Sequence, residues 1–510
     1  MKRINDRSAI LFLHLIAVAL LVLAVHVRGL PATPTAIPAE GSAESHWWGL
    51  WPVTYLPDWL FFGGLGLIAL VMIAAVIFAW DPATAQRARL SSTANEGHQQ
   101  HRQWGYLLIM GGFAAAFFAF PIVHTRWGDA YILTKAIAHP DPAIQLTHSW
   151  QAPLDLYLHS SVWHYFHGIA DWQDAMPVYH LLSPMAGFLY MSATYAVSRT
   201  SRRSLGTPQW LTFGLLTSLG VMQLFFGYIE NYSFAAAGIV SFLWLALRTL
   251  QGQSPLWLAA LVLALTNALH PSTIVYWPAM LWLGWLVGRT QANDKPIDSR
   301  GRNNLLLGIV YQLIVPPVVV AAATIAMMEI GGHGLVTLLT TDRPGGGDGR
   351  WLVPLWATTT RWERYTMISW PHLRDILNEQ LLVAPILLPA IGVALLQLAV
   401  RRSKMSGHVR KEPSIQPSHG SDLHAIVLLS VAASCHLLLT WIWNPDYGGQ
   451  RDWDLFSLAA IPTALLAAQL LHRLIRDPRA LLAGMIPLLM LQYAQLATWV
   501  YQNTLPWEWP

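Results

Sequence analysis

The chain has 510 residues, of which 54% are hydrophobic and 11% are charged, and its formal net charge is +4. Soluble proteins carry about 25% charged residues, so this composition excludes an ordinary soluble protein and indicates a polytopic membrane protein. A charge of +4 on so long a chain gives no support to nucleic-acid binding. The single cysteine, Cys435, excludes an internal disulfide framework.

Apolar runs long enough to cross a hydrocarbon core of about 30 Å recur along the whole chain. They predict an all-α polytopic membrane protein with roughly thirteen transmembrane helices. The first run follows Lys2, Arg3 and Arg7 and is longer than a usual signal-peptide core, so we expect an uncleaved helix rather than a signal peptide. The predicted spans are residues 10–27, 59–80, 105–123, 177–197, 209–228, 232–247, 255–269, 273–288, 304–325, 382–400, 425–443, 455–472 and 480–500.

Basic residues are concentrated in every second connection between the predicted spans. When the amino terminus is placed in the cytoplasm, most of the 31 Lys and Arg residues fall on the cytoplasmic side, and most of the 27 acidic residues fall outside. This bias predicts a cytoplasmic amino terminus. We interpret the basic cluster of Arg199, Arg202 and Arg203 as a topology anchor or a contact with the lipid surface.

The spans and loops divide the chain into four predicted parts. Two N-terminal transmembrane helices and their loops occupy residues 1–104, and a transmembrane core that includes a long outer loop at 124–176 occupies residues 105–325. An extracytoplasmic loop with a glycine-rich segment follows at residues 326–381, and C-terminal transmembrane helices occupy residues 382–510. We find no internal repeat and no soluble nucleotide-binding signature.

The long outer loop opens with the segment Arg126-Trp127-Gly128-Asp129-Ala130-Tyr131, where an apolar run ends. Asp129 precedes a short amphipathic stretch, and Asp is a favoured N-cap residue, so one interpretation is a helix cap at the membrane surface. The other is a reactive carboxylate. Which of the two holds depends on the polar groups that reach the same face of the membrane.

Two tight outer hairpins bring further polar groups to that face. Glu230 and Asn231 lie at a turn with apolar sequence on both sides. An ionisable group at this depth indicates a functional partner, although a Glu at the interface can also be solvated at little cost. His270 ends an apolar helix before Pro271, where it either caps the last carbonyls or faces a site.

A third hairpin contains Gln450-Arg451-Asp452-Trp453-Asp454 immediately before a span. Asp452 or Asp454 could cap the following helix, but a cap explains one acid and not two acids beside an arginine. The planar fork of Arg451 suits a phosphate or pyrophosphate group. The alternative is an internal salt bridge between Arg451 and a neighbouring acid.

The second long outer loop carries the glycine-rich segment 342–350. It lacks the Lys-Ser/Thr pattern of a phosphate-binding loop, so the main interpretation is a flexible surface loop. The alternative is a mobile lid that carries Arg343 or Arg350 to an anionic donor.

Five outer-face side chains offer oxygen and imidazole ligands that would suit Mg²⁺, Mn²⁺ or Zn²⁺. No pair among them has diagnostic ligand spacing, so we assign no metal and predict no cofactor, and a divalent cation stays an open alternative. The five are Asp129, Glu230, His270, Asp452 and Asp454.

This arrangement resembles the GT-C superfamily of integral-membrane glycosyltransferases, which use lipid-phosphate-linked sugars. Trp127-Gly128-Asp129-Ala130-Tyr131 resembles the acidic start of the family's first large outer loop, and the segment from Ala152 to Gly168 is similar to its second surface helix. The resemblance covers roughly residues 105–325 and leaves two extra spans at the amino terminus. Many members carry a second acid directly after the first, where this chain has Ala130.

The resemblance implies a GT-C-like catalytic core and a mannosyltransferase-like reaction on the extracytoplasmic face of a prokaryotic plasma membrane. The partners would be a polyprenyl-phosphate-linked sugar donor, an unidentified glycan, lipid or protein acceptor, and membrane lipid. Asp129 would be the general base of an inverting displacement. Arg451, with Arg343 or Arg350, would stabilise the leaving phosphate. The residues that would bind sugar hydroxyls or support the site are Glu230, Asn231, His270, Asp452 and Asp454.

The alternative function is a transporter or flippase for a lipid-linked or anionic solute. Transporters place ionisable groups near the bilayer midplane on broken helices, often in repeated halves. Here the polar clusters lie at one predicted surface, which favours surface chemistry. A structural or assembly protein with Trp-rich contacts is a third reading, but it leaves the clustering of acids and arginine unexplained.

Overall fold

The structure is a computed structural model that describes residues 2–31, 41–80, 97–294, 299–340, 351–360, 362–406, 419–445 and 447–507. Within these ranges the regular elements are helices, apart from one isolated β-bridge between Leu352 and Trp443. The predicted all-α architecture is confirmed.

The long helices follow the predicted apolar runs. They are Lys2–Arg28, Asp58–Trp80, Gly97–Ala119, Met176–Leu205, Ser233–Leu250, Leu256–Leu269, Trp277–Asp294, Ser299–Ile330, Leu387–Ser406, His419–Ile442, Ala460–Leu474 and Pro478–Asn503. Shorter α-helices lie at Ala43–Trp47, Ala130–Ile137, Pro153–Ala170, Gln209–Thr217, Leu335–Thr340, Trp370–Val383 and Trp453–Ser457. Three 3₁₀ segments lie at Trp51–Tyr55, Gly220–Phe225 and Pro271–Tyr276.

Among the described residues, 7 helices are long and apolar enough to cross a membrane. The number rises to 8 if Trp370–Val383 and Leu387–Arg401, which meet at an angle of 97°, form one broken span. The protein is therefore an integral membrane protein. The larger count of roughly thirteen spans stays a prediction, because several helices in predicted spans, such as Leu256–Leu269, are short.

Burial separates central helices from peripheral ones. In the 18-residue apolar window of the span Asn303–Ile330, only 6% of the residues are buried inside the protein, whereas 83% are buried in the window of the span Trp453–Leu474. Exposed Leu, Ile and Val side chains on the peripheral helices are what a lipid-facing surface requires, because lipid chains are as apolar as those side chains. The polar hairpins therefore meet at the ends of the central helices.

Two predicted segments differ from the structure. The run at 209–228 is not one helix, because Leu219 is extended and a 3₁₀ segment follows it. At Gly220 an added Cβ would stand 2.7 Å from the Val383 backbone, so this break allows two chain segments to touch. The predicted outer loop 326–381 begins inside the helix Ser299–Ile330 and contains two helices of its own, Leu335–Thr340 and Trp370–Val383.

The first large outer loop carries two helices at Ala130–Ile137 and Pro153–Ala170, as predicted. The second begins with Pro153, whose missing N–H costs nothing in the first helical turn. Within this helix, His159 Nδ1 lies 3.1 Å from Asp155 Oδ2, one turn earlier. The His159 ring stacks on Tyr179 with 4.2 Å between the ring centroids. This packing holds the loop against the bundle.

The two extra N-terminal helices and the outer loop between them are part of the same packed body. The Gly49 N–H donates to Asn378 Oδ1 over 2.9 Å, and Gln495 Nε2 donates to the Gly49 carbonyl over 2.7 Å. An added Cβ on Gly49 would collide with the Asn378 carbonyl. This close approach requires glycine and ties the N-terminal part to the C-terminal helices.

Candidate functional site

Asp129 occupies the N-cap position of the helix Ala130–Ile137, but its carboxylate makes no capping hydrogen bond. Instead, Asp129 Oδ1 accepts a hydrogen bond from the Tyr447 hydroxyl over 2.7 Å. The cap interpretation is therefore right for the backbone position and wrong for the side chain. The carboxylate points towards the third outer hairpin.

Glu230 lies directly beneath the Asp129 backbone. Its side chain is buried, and its Oε1 accepts the Asp129 N–H. The turn that carries Glu230 follows Gly227, whose positive φ of 69° lets the chain reverse between two helices. The hairpin at 227–232 thereby places a second carboxyl group against the first outer loop.

Gly128 makes the close approach of these segments possible. Its φ is +44°, a conformation that side-chain-bearing residues rarely adopt. An added Cβ would collide with Glu230 Oε1 and would stand 3.6 Å from Asp454 Oδ2. Three acidic side chains from three separate loops, those of Asp129, Glu230 and Asp454, therefore surround one glycine.

Arg451 supplies the neighbouring positive charge. The Gly128 N–H donates to the Arg451 carbonyl over 2.9 Å, and Arg451 Nη2 donates to the Gly128 carbonyl over 3.3 Å. The guanidinium carbon lies 4.5 Å from the centroid of the Tyr447 ring, a cation–π contact. The first large outer loop and the third hairpin are thus joined through both backbone and side chains.

The two acids of the third hairpin take different partners. Asp452 stands at the N-cap of the helix Trp453–Ser457 without a capping hydrogen bond, and its Oδ2 accepts the Tyr447 N–H over 2.8 Å. Asp454 is buried, and its Oδ1 accepts the Leu455 N–H over 2.9 Å. Its Oδ2 has no hydrogen-bond partner among the described residues, which leaves one buried acceptor facing the cluster.

The pKa values of the site residues are shifted because acidic groups are buried close to one another. Burial raises the pKa of Glu230 well above its usual value, and the charges of Asp454 and Asp129 raise it further. Burial and then the charge of Asp129 also raise the pKa of Tyr447, so its hydroxyl stays a hydrogen-bond donor. The arrangement favours a protonated Glu230 beneath an Asp129 that accepts a hydrogen bond.

His270 and Asn231 lie next to the carboxylate cluster rather than in it. The His270 ring packs on Tyr232 with 4.4 Å between centroids, and its Nδ1 accepts the Ser272 N–H over 3.3 Å. Burial lowers the pKa of His270 to about 3, so the ring is neutral. His270 thus caps the 3₁₀ segment that follows it, and no hydrogen bond or ion pair joins it to Asp129 or Glu230 in the described ranges. Asn231 Oδ1 is buried and has no partner among those residues.

Arg343 and Arg350, with the whole segment 341–350, lie outside the described residues. In the part of the chain that the structure describes, no group of three or more His, Cys, Asp and Glu side chains is arranged to hold a metal ion. Asp129 Oδ1 and Glu230 Oε1 are already engaged by Tyr447 and by the Asp129 N–H.

Three buried tryptophans form the floor of the site. Trp127 Nε1 donates to Asn503 Oδ1 over 2.6 Å, and Trp453 Nε1 donates to the Tyr228 hydroxyl over 2.8 Å. The Trp499 ring centroid lies 5.1 Å from that of Trp127 and 5.4 Å from that of Trp453. Because these rings are large and fully packed, they fix the loops that carry Asp129 and Asp454.

Sequence reasoning missed Tyr447 and Glu44. Tyr447 lies in the third hairpin, close in sequence to Asp452 and Asp454. Its closeness to these two acids is the sequence signal that could have identified it. Glu44 lies in the outer loop between the two N-terminal helices, and its Oε1 accepts hydrogen bonds from Arg126 Nη2 over 2.7 Å and from Gln450 Nε2 over 3.3 Å. One buried oxygen therefore links the first large outer loop to the third hairpin. No local sequence pattern predicts this link.

No known protein-family model and no curated protein matches this chain. Two crystal structures of the oligosaccharyltransferase of Archaeoglobus fulgidus align with 77% of it at 14% identity and a TM-score of 0.40. One is the apo form, and the other is tethered through a disulfide bond to an acceptor peptide containing the NVT sequon. This chain covers 55% of the peptide-tethered chain and 56% of the apo chain. A likeness of this strength does not assign a family, so the function has to follow from the site.

Proposed function

We propose that the protein is a GT-C-like membrane glycosyltransferase that moves a sugar from a polyprenyl-phosphate-linked donor to an acceptor on the extracytoplasmic face. The observation that carries the proposal is the Asp129 carboxylate, which stands at a helix start without capping it. It is oriented by the Tyr447 hydroxyl and lies in the same cluster as the Arg451 guanidinium.

In the proposed reaction, Asp129 takes the proton of an acceptor hydroxyl while the hydroxyl oxygen attacks the anomeric carbon of the sugar. The bond from that carbon to the phosphate oxygen breaks, and the phosphate leaves with the bonding electrons. One displacement of this kind inverts the anomeric centre. Tyr447 engages Oδ1 of Asp129, and the second carboxylate oxygen serves the acceptor.

The remaining polar groups have supporting roles in this proposal. Arg451 pairs with the leaving phosphate, which a planar guanidinium does well. Glu230 holds the Asp129 backbone through the Asp129 N–H. Asn231 Oδ1 and Asp454 Oδ2 are buried acceptors without partners among the described residues, and they suit sugar hydroxyls. Asp452 and His270 support the loops through Tyr447 and Tyr232.

An apolar cavity of about 770 Å³ offers a place for the donor's hydrocarbon chain. It lies between the helices Lys2–Arg28, Asp58–Trp80 and Pro478–Asn503, and its lining includes Phe61, Phe226 and Gln495. Gln495 also donates to the Gly49 carbonyl, in the N-terminal loop that carries Glu44. This links the cavity wall to the loop that braces the site.

The test uses the full-length protein in proteoliposomes with a membrane extract as the source of acceptors and a panel of synthetic polyprenyl-phosphate hexoses, beginning with the mannose compound. Release of polyprenyl phosphate is measured, because this product forms whatever the acceptor. We expect Asp129→Asn to lower the release rate by at least about a hundredfold, since general acid–base catalysis contributes 10²–10⁴-fold. The matched control is Asp141→Asn, an exposed carboxylate of the same outer loop. Unchanged turnover in Asp129→Asn would overturn the proposal.

The same preparation separates the transporter alternative. A flippase would move a fluorescent donor lipid between leaflets without releasing polyprenyl phosphate. Movement without bond cleavage across the whole panel would favour that class of protein.

A further inference from the structure

A polar cavity lies far from the carboxylate cluster. The helix Met176–Leu205 starts beside the first outer loop, where the Ala175 N–H donates to the Thr134 carbonyl over 3.2 Å. Its 30 residues extend about 45 Å, the full thickness of a membrane. A cavity of about 170 Å³ lies at its other end and is lined by Gln103, Arg199, Arg202, Arg203 and Gln209. We call it the arginine cavity.

The arginine cavity concentrates positive charge without a visible counter-charge. Its lining contains three guanidinium groups and two amides, and no carboxylate. Within the described ranges, no acid forms an ion pair with any of the three arginines. Arg199 is half-buried and lies 5.5 Å from the centroid of the Tyr195 ring. Positive charges held this close attract an anion into the space between them.

Gln209 adds an independent sign of a missing ligand. Its side chain is 7% exposed, and its Nε2 has no hydrogen-bond partner among the described residues. Buried amide donors are normally paired. Gln209 is also the first residue of the helix Gln209–Thr217, whose N-terminal end contributes partial positive charge. An acceptor in the cavity would satisfy the amide and the arginines together.

We propose that the arginine cavity binds the phosphate group of an anionic membrane lipid. Guanidinium forks make paired hydrogen bonds to phosphate oxygens, and basic pockets between spanning helices hold anionic headgroups. The volume of about 170 Å³ lies below the roughly 300–1,000 Å³ of pockets for drug-sized ligands, so it fits a headgroup while the acyl chains stay in the bilayer. This site is separate from the proposed transferase site and does not depend on it.

Native mass spectrometry of the full-length protein in neutral detergent tests the proposal. Delipidated protein is titrated with phosphatidylglycerol, and the occupancy of the tightest site is measured. We expect the triple variant Arg199→Gln, Arg202→Gln, Arg203→Gln to bind on the order of a hundredfold more weakly, because each arginine near an anionic headgroup contributes about fivefold. The matched control Arg289→Gln removes an arginine that lies on Trp285, outside the cavity, and should bind as the unmodified protein does.

Further arms identify the ligand and guard against misfolding. Phosphatidylcholine, whose choline cation offsets its phosphate, should bind at least about tenfold more weakly than phosphatidylglycerol. Gln209→Met keeps all three arginines and the side-chain volume, and should lose several-fold in affinity. If inorganic phosphate by itself displaces phosphatidylglycerol, the cavity is a phosphate site whose ligand is a free anion rather than a lipid headgroup. Equal phosphatidylglycerol binding by the triple variant and the unmodified protein would overturn the proposal, as would equal binding of the two lipids.

Discussion

The Tyr447 hydroxyl donates to Asp129 Oδ1 over 2.7 Å, although 318 positions separate the two residues in the chain. This hydrogen bond gives the Asp129 carboxylate one orientation at the meeting point of two outer loops. We expect Tyr447→Phe to lower kcat for polyprenyl phosphate release by about ten- to a hundredfold, because a hydrogen bond to a charged group contributes roughly 1.5–3 kcal/mol. KM for the donor should change little.

The control for this variant is Tyr165→Phe, whose ring is exposed and far from the acids in sequence. A Tyr447→Phe protein with unchanged kcat would show that the hydroxyl does not orient the carboxylate. Circular dichroism and thermal unfolding would establish that both variants fold.

Glu44 and Arg126 form a buried ion pair at 2.7 Å, with side-chain exposures of 2% and 7%. Removing one partner of a buried pair leaves an uncompensated charge and costs about 3–5 kcal/mol. We expect Glu44→Ala to lower the free energy of unfolding by that amount and to loosen the first large outer loop and the third hairpin. The measurement is thermal or denaturant unfolding of the protein in detergent.

The surface pair of Arg28 and Asp58, at a similar distance of 2.8 Å, is the matched control because Asp58 is 80% exposed. Asp58→Ala should cost no more than about 1 kcal/mol. Exchange of the charges in a Glu44→Arg, Arg126→Glu double variant should recover part of the loss. Equal costs for Glu44→Ala and Asp58→Ala would contradict the bracing role of Glu44.

Gly128 should tolerate no side chain. Its φ of +44° and its contact with Glu230 mean that Gly128→Ala strains the backbone and displaces a buried carboxyl group. We expect a loss of about 1–3 kcal/mol in stability and of nearly all transferase turnover. Gly112→Ala is the control, because Gly112 lies inside the helix Gly97–Ala119 with open space around its Cβ position. That change should be neutral or stabilising by up to about 1 kcal/mol.

The raised pKa of Glu230 has a consequence for the pH dependence of stability. The folded protein binds the Glu230 proton more tightly than the unfolded chain, so unfolding between the usual value of 4.5 and the raised folded pKa releases a proton. The free energy of unfolding should therefore fall as pH rises through this window. Unfolding temperatures measured from pH 5 to pH 8 test the expected slope.

Glu230→Gln mimics the protonated group and keeps the oxygen that accepts the Asp129 N–H. We expect this variant to lose the part of the pH slope that Glu230 contributes, to be more stable than the unmodified protein at neutral pH, and to keep most of its transferase turnover. Asp141→Asn, at an exposed carboxylate, should leave the slope unchanged. An abolished turnover in Glu230→Gln would instead assign Glu230 an ionised role.

Local sequence determines most of the helices in this protein, because a long apolar run in a membrane satisfies its backbone only as a helix. It also marks the polar hairpins. Glu230 and Asp454 are ionisable residues that interrupt apolar sequence, and placing such a residue at membrane depth costs free energy. The structure brings Glu230 and Asp454, from two of these hairpins, to Gly128 and Asp129 in the first large outer loop.

Only the tertiary structure decided how those groups are partnered. Asp129 has the sequence context of a helix cap, and the choice between capping and binding Tyr447 depends on a hairpin far along the chain. Glu44 reaches Arg126 across 82 positions and Gln450 across 406, and the break before Gly220 brings that glycine against Val383. The spacing of apolar residues and the turn residues determine structure within a few positions of the chain. Hydrogen bonds between loops depend instead on the packing of whole helices.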